Sequence, residues 1–189
     1  MPNVLRLVQE SIVNCGFDLH RRSEDRSVLE KEIFPYFKDS KEFSSILFVG
    51  CRWYTKGYNK IFEQKNYWTM DVDSRQSRFG TKQHVVDSMQ NIIHHFAENY
   101  FDLIICNGVV GYGLNEKTDI DNAFQGAFRA LRRQGLFVLG WNDIEGYDLH
   151  IYYESQSLRL FSPYVFPPFG VSEYATKTVN RHTFSFYTK

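Results

Sequence analysis

The 189-residue chain is long enough for one compact domain with a single core. Its 22 Lys and Arg balance its 22 Asp and Glu, so no global field attracts nucleic acid or an anionic membrane. No apolar run reaches the ~18 to 20 residues of a membrane span, and charges interrupt the amino-terminal stretch where a signal peptide would be apolar. We therefore expect a cytoplasmic protein that binds neither nucleic acid nor membrane.

The three cysteines and six histidines predict no metal site. The cysteines form no CxxC pair, and neither residue type recurs at metal-ligand spacing. We expect reduced cysteine thiols and no metal.

Helices are predicted before the first strand, over residues 1–44. Residues 3–14 place apolar side chains on one helical stripe, at Leu5, Val8 and Ile12. A capping box from Ser27 to Glu30 predicts the start of a second helix, which Pro35 should end or bend.

Strands and helical patterns alternate over residues 45–141, which is typical of a parallel sheet with helices on both faces. Strands are predicted at 46–50, 67–71, 83–86, 101–106 and 135–140. The clearest helix places apolar residues on one face from Ile120 to Leu131. Thr118 should cap its start, and Gly135 should take the left-handed turn into the next strand.

Residues 142–189 differ in character, with a stretch rich in proline and aromatics followed by two alternating segments. These segments flank Val179, Asn180 and Arg181, so an antiparallel hairpin is predicted at the sheet edge. With no repeat and no linker, we expect residues 1–189 to form one α/β domain. Its mostly parallel seven-stranded sheet would end in an antiparallel strand pair.

Two strand ends carry the pattern of a cofactor site. The apolar stretch ILFVGC runs into Gly50, and the strand in YWTMDVD ends in Asp71 about twenty residues later. At this spacing a ligand can approach the backbone at Gly50, and the carboxylate can accept ribose hydroxyls. Arg52 and Tyr54 stand where a dinucleotide-binding turn has glycines, and they would crowd a pyrophosphate. A nucleotide-type cofactor without a pyrophosphate is therefore favoured.

Over about residues 25–189 the chain resembles the class I S-adenosylmethionine-dependent methyltransferases. In order, ILFVGC, YWTMDVD, HVVDSMQN and FDLIICNGVVGYGL look like their first four motifs, and AFRALRRQGLFVLGW looks like the helix and strand that follow. The resemblance implies a Rossmann-like methyltransferase fold. It also implies a site for S-adenosyl-L-methionine formed by Gly50, Cys51, Arg52, Asp71, Val72, Asp87, Ser88, Asn107 and Gly108.

Two of these residues carry specific expectations. Asp87 would face the adenine amino group, cap the following helix, or do both. Arg52 replaces the second glycine of the first motif, and it could pair with the methionine carboxylate of the cofactor or face solvent.

The expected methyl acceptor is a small molecule, a sugar or another metabolite, methylated on oxygen or nitrogen. The chain lacks the N-P-P-Y or D-P-P-Y element of amino-methylating DNA enzymes, and its net charge is zero. Tyr112, Trp141 and residues 144–170 should line the acceptor pocket. A hydroxyl acceptor would gain from a base, for which the candidates are His150, Tyr112 and Asp143. His182, at the start of an edge strand, is expected to be a bystander.

Two other functions fit parts of the pattern. A non-catalytic methyltransferase-like binding module would explain the missing glycines. A nicotinamide-dependent oxidoreductase shares the strand and acidic-residue spacing, but it needs a glycine turn that the RWYTKG segment does not supply. The protein is expected to be a monomer or a homodimer.

Overall fold

The computed structural model describes residues 4–17, 19, 21–142 and 155–189. Its α-helices are α1 (Val4–Asn14), α2 (Glu24–Val28), α3 (Phe34–Asp39), α4 (Tyr58–Ile61), α5 (Ile92–His95) and α6 (Lys117–Ala130). Short 3-10 turns occupy Trp53–Thr55, Ser74–Phe79, Met89–Asn91 and Ser157–Leu160. None of the helices described is long and apolar enough to cross a membrane.

The strands are β1 (Ser45–Val49), β2 (Asn66–Asp71), β3 (His84–Val86), β4 (Phe101–Asn107), β5 (Leu131–Asn142), β6 (Ser162–Pro163), β7 (Glu173–Ala175) and β8 (His182–Thr188). They form one sheet in the order β3-β2-β1-β4-β5-β8-β6, and β7 also pairs with β8. Strands β1 to β5 are parallel, and β8 runs antiparallel to β5. The predicted fold class is confirmed.

The described part of the sheet has eight strands, one more than predicted. The extra strand arises because two short strands pair with the same strand, β8. Strand β6 pairs with Thr188 and Tyr187, whereas β7 pairs with residues 183–185. The predicted hairpin corresponds to β7 and β8, whose turn contains Arg181 at a positive φ of 41°.

The second predicted helix begins earlier and extends further than the sequence indicated. Ser23 is its amino-terminal cap, so Ser27 lies inside α2 and forms no capping box. Pro35 does not end the helix, because a π-turn over Leu29–Ile33 precedes it and α3 continues to Asp39. A proline ring crowds the carbonyl four residues earlier, and a widened turn relieves that contact.

Helix α1 forms as predicted, but its apolar stripe faces outward. Leu5 is 63% exposed and Ile12 is 38% exposed. On the same helix Glu10 is buried, and its carboxylate accepts from Arg6 and, at 2.6 Å, from Arg78. Glu10 and the buried Val13 therefore anchor this helix, because apolar periodicity specifies a helix without specifying the face that packs.

Helix α6 runs directly into β5 without the predicted glycine turn. Its cap position is Glu116 instead of Thr118, and Leu131 already belongs to the strand. The left-handed residue is Gln134, at a φ of 63°. Gly135 is required for close packing, because a Cβ there would lie 2.8 Å from the carbonyl oxygen of Arg132.

Candidate functional site

The carboxyl ends of β1, β2 and β4 open into a cavity of about 440 Å³. The strand order reverses at β1, since β2 lies on one side of it and β4 on the other. Parallel α/β sheets bind ligands in the crevice that forms at such a switch point. Nine predicted site residues line this cavity: Gly50, Arg52, Asp71, Val72, Asp87, Ser88, Asn107, Gly108 and Tyr112.

Gly50 makes the turn that brings β1 to the cavity. Its φ is 97°, and its N–H donates to the Met70 carbonyl oxygen at 2.9 Å. A Cβ at this position would lie 3.0 Å from both the Asn107 carbonyl oxygen and a methyl carbon of Val109. Only glycine combines this backbone conformation with such close packing.

Asp71 ends β2 beside that turn, and its carboxylate is already partly satisfied by the protein. One oxygen accepts from the Cys51 N–H at 2.7 Å and from the Arg52 guanidinium at 3.1 Å. The other accepts from the Asp73 N–H at 2.9 Å. A carboxylate has about four acceptor positions, so roughly one remains for a ligand hydroxyl.

Cys51 and Arg52 contribute mainly to the turn itself. Cys51 is fully buried, and burial raises the pKa of its thiol to about 12. Arg52 donates to the Cys51 carbonyl oxygen at 2.7 Å as well as to Asp71. The Arg52 guanidinium is thus turned back onto the chain.

Asp87 uses its carboxylate to order the start of the next helical segment. One oxygen accepts from the Ser88 N–H at 2.7 Å and from the Asn91 amide, and the other contacts His95 at 2.8 Å. The hydrogen bond with His95 is the main reason that the pKa of Asp87 is lowered. The cap position itself is Ser88, so Asp87 supports this segment from the residue before the cap and does not cap it as expected.

The start of α2 contributes an arginine that the sequence did not single out. Arg26 lines the cavity although it is only 7% exposed. Its guanidinium lies 4.7 Å from the centre of the Tyr54 ring, and its Nε is 3.5 Å from Asp25. Burial opposes its charge, but Tyr58, Tyr54 and Asp25 together raise the pKa of Arg26.

Two buried polar atoms of this segment make no hydrogen bond of normal geometry among the residues described. They are the Ser23 hydroxyl oxygen and the Arg26 Nε, and both residues line the cavity. Both lie beside Asp25, whose carboxylate is 3.5 Å from Arg26 Nε. Burial opposes the charge of Asp25, but a hydrogen bond from Ser23 and the neighbouring arginines together lower its pKa.

His182 lies in the cavity wall, and its strand is not an edge strand as expected, because β8 lies between β5 and β6. It is 4% exposed, and its Nδ1 lies 2.6 Å from the Asn142 side-chain oxygen. Burial lowers its pKa to about 4, with Arg26 adding to the shift and Asp25 opposing it. The imidazole is therefore neutral at pH 7. The pairing of β8 with the end of β5 brings it here, and local sequence around His182 carries no signal for that pairing.

Trp141, predicted to line the acceptor pocket, lies in the core. It is 4% exposed, and its indole N–H donates to the Ser185 hydroxyl at 3.0 Å. Successive strand residues face opposite sides of the sheet, so Trp141 and the cavity-lining Asn142 point apart. The candidate bases His150 and Asp143 lie outside the described residues.

A family model for the methyltransferase domain matches residues 47–139. No curated protein matches the chain. Among solved structures, a TehB-like SAM-dependent methyltransferase from Corynebacterium glutamicum aligns with a TM-score of 0.61 at 16% identity, covering 98% of this chain and 96% of that one.

Two further structures share the fold. The N-methyltransferase NodS from Bradyrhizobium japonicum aligns with a TM-score of 0.59 at 14% identity, covering 87% of this chain and 98% of that one. A ribosomal RNA methyltransferase from T. thermophilus, solved with AdoMet and guanosine, aligns with a TM-score of 0.52 at 14% identity, covering 83% and 38%. At these identities the likeness shows a common fold.

Proposed function

The chain is an S-adenosylmethionine-dependent methyltransferase of class I, and on this premise we propose that it methylates an oxygen or nitrogen of a small molecule, a sugar or another metabolite. The observation that carries the proposal is the cavity of about 440 Å³ at the carboxyl ends of β1, β2 and β4. Cavities of roughly 300–1,000 Å³ are typical of small-molecule and cofactor sites.

The residues of this cavity fit the cofactor at several points. Asp71 has an acceptor position left for a ribose hydroxyl. Ser23 and the positively charged Arg26 line the same cavity and suit the methionine carboxylate. Gly108 leaves open space, since a Cβ there would meet nothing within 4 Å.

Ser23 and Arg26 thus replace Arg52 in the proposed carboxylate contact. The Arg52 guanidinium already donates to Cys51 and Asp71. Arg26 is more buried, so its interaction with a carboxylate would be less screened by water.

The chemistry requires alignment more than it requires a protein base. When bound, the cofactor supplies a methyl group activated by a positively charged sulfur. The protein must then hold the acceptor in line and exclude water. The β7–β8 turn contributes to that enclosure, because Thr178 and Asn180 line the cavity and the Lys177 N–H donates to Glu24, the first residue of α2, at 3.0 Å.

A small acceptor is favoured over nucleic acid by the charge distribution. The formal net charge is zero. The described cavity wall carries equal numbers of cationic and anionic residues, namely Arg21, Arg26, Arg52, Asp25, Asp71 and Asp87. Nucleic-acid sites normally carry a surplus of basic residues.

Calorimetric titration with S-adenosylhomocysteine and with nicotinamide cofactors tests the cofactor assignment. We expect binding of the former and none of the latter; the reverse result would overturn the proposal. The acceptor is then sought with methyl-labelled S-adenosylmethionine, offered separately with a metabolite extract and with total RNA. Label that enters RNA alone would refute the small-molecule acceptor.

A further inference from the structure

Five side chains of the cavity wall form one continuous hydrogen-bonded chain, which runs in the order Arg26, Asn107, His182, Asn142 and Tyr112. With the Asn107 amide turned so that each of its atoms meets a suitable partner, its oxygen lies 2.9 Å from an Arg26 terminal nitrogen and its nitrogen 2.9 Å from His182 Nε2. His182 Nδ1 lies 2.6 Å from the Asn142 oxygen, and the Asn142 nitrogen lies 2.9 Å from the Tyr112 hydroxyl.

Arg26 fixes the direction of the first two links. A guanidinium can only donate, so Asn107 must present its oxygen to Arg26. The Asn107 NH₂ group then faces His182 and donates to Nε2. An Nε2 that accepts a hydrogen bond carries no proton.

The remaining links follow from the chemistry of imidazole. A neutral imidazole carries one proton, which must sit on Nδ1 when Nε2 accepts. Nδ1 therefore donates to the Asn142 oxygen, and the Asn142 NH₂ group donates to the Tyr112 oxygen. The low pKa of His182, about 4, keeps the ring neutral, although Asp25 opposes that shift.

Tyr112 is the last member of this hydrogen-bonded chain, and its hydroxyl oxygen accepts from Asn142. The hydroxyl hydrogen of Tyr112 therefore remains available for another acceptor. The residue is 53% exposed and lines the cavity. We propose that Tyr112 donates its hydroxyl hydrogen to the methyl acceptor, and that His182 and Asn142 are positioning residues which fix this polarity. The Tyr112 hydrogen is then taken by a lone pair on an oxygen or nitrogen of the acceptor, such as a carboxylate, carbonyl or hydroxyl group. The link to methyl transfer rests on the proposed function.

The tautomer of His182 tests the polarity without any ligand. A long-range proton–nitrogen NMR spectrum at pH 7 should show His182 protonated on Nδ1 alone. Asn107→Asp replaces the donor with a carboxylate of the same shape, so the proton should move to Nε2. A wild-type proton on Nε2 would overturn the proposal, even if the variant does not fold.

Small probe molecules test the direction of the Tyr112 hydroxyl. In protein labelled at the tyrosine ring carbon that bears the hydroxyl and saturated with S-adenosylhomocysteine, acetate should shift the Tyr112 signal more strongly than methylammonium does. The signal is assigned by its loss in Tyr112→Phe. Asn142→Asp keeps the contact with His182 but can only accept from Tyr112, so acetate should bind at least fivefold more weakly. A stronger response to methylammonium, or no change in Asn142→Asp, would refute the proposal.

Failure of the proposed function gives a different result. If the protein does not bind S-adenosylhomocysteine but keeps the His182 proton on Nδ1, the methyltransferase site is refuted and the donor–acceptor direction of the hydrogen-bonded chain is supported. Binding of S-adenosylhomocysteine with the opposite tautomer would refute the polarity and support the site.

Discussion

The Cys51 N–H donates to the carboxylate of Asp71 at 2.7 Å, joining the end of β1 to the end of β2 across the mouth of the cavity. Because Asp71 also accepts from Arg52 and Asp73, it holds the turn in place and offers about one further acceptor position to a ligand. Cofactor affinity and local stability are therefore linked at this residue.

Substitution of Asp71 should affect both properties. Asp71→Asn should weaken binding of S-adenosylhomocysteine by about 1.5–3 kcal/mol, as for hydrogen bonds to charged groups, and should lower the melting temperature. Calorimetry and thermal unfolding measure the two effects. Asp73→Asn is the control, because Asp73 pairs with exposed Arg75, and it should leave affinity within twofold. Unchanged affinity in Asp71→Asn would remove this residue from the ribose contact.

The carboxylate contact distinguishes Arg26 from Arg52. Arg26→Ala should weaken S-adenosylmethionine binding by about 1.5–3 kcal/mol, the range for a hydrogen bond to a charged group. Binding of decarboxylated S-adenosylmethionine should change much less, because that ligand lacks the partner group. In Arg52→Ala the two ligands should lose equal affinity, since Arg52 pairs with Cys51 and Asp71. If the selective loss occurs in Arg52→Ala instead, the assignment is reversed.

Gly140 leaves room for the hydrogen-bonded chain. A Cβ at this position would overlap the Asn107 side-chain amide atom that faces His182, and it would lie 2.9 Å from His182 Nε2. Gly140→Ala should therefore cost about 1–3 kcal/mol of unfolding free energy, measured in urea, as other overpacked sites do. Gly113→Ala is the control, because the nearest atom to its Cβ, the Val109 carbonyl oxygen, would be 3.9 Å away, and it should be tolerated. Equal stability of the two variants would contradict this placement of Asn107 and His182.

The buried His182 should make stability depend on pH. Burial lowers its pKa from 6.5 to about 4, so between these values the unfolded chain binds more protons than the folded one. The contribution of neutral His182 to the free energy of unfolding is fully present above pH 6.5. It is lost as the pH falls toward 4, by up to about 3 kcal/mol. Urea unfolding from pH 7 to 4.5 measures the slope. In His182→Gln this part of the slope should disappear, and an unaltered slope would exclude His182 as its source.

The sequence alone was sufficient to predict the five parallel strands in their order along the chain, because hydrophobic periodicity and turn residues act locally. It also indicated Gly50 and Asp71, since a strand that ends in glycine and one that ends in a carboxylate form a pattern within about twenty residues. The resemblance to class I methyltransferases followed from such local motifs, and the family is confirmed.

Tertiary structure decided what depends on contacts between distant segments. His182 faces Asn107 across 75 positions of sequence, and Arg26 reaches the same cavity from α2. Trp141 and Asn142 are adjacent in the chain, yet one is in the core and the other in the cavity wall, because strand pleating sends them to opposite faces. Sequence periodicity marks two faces of a strand, and only packing determines which face borders the ligand.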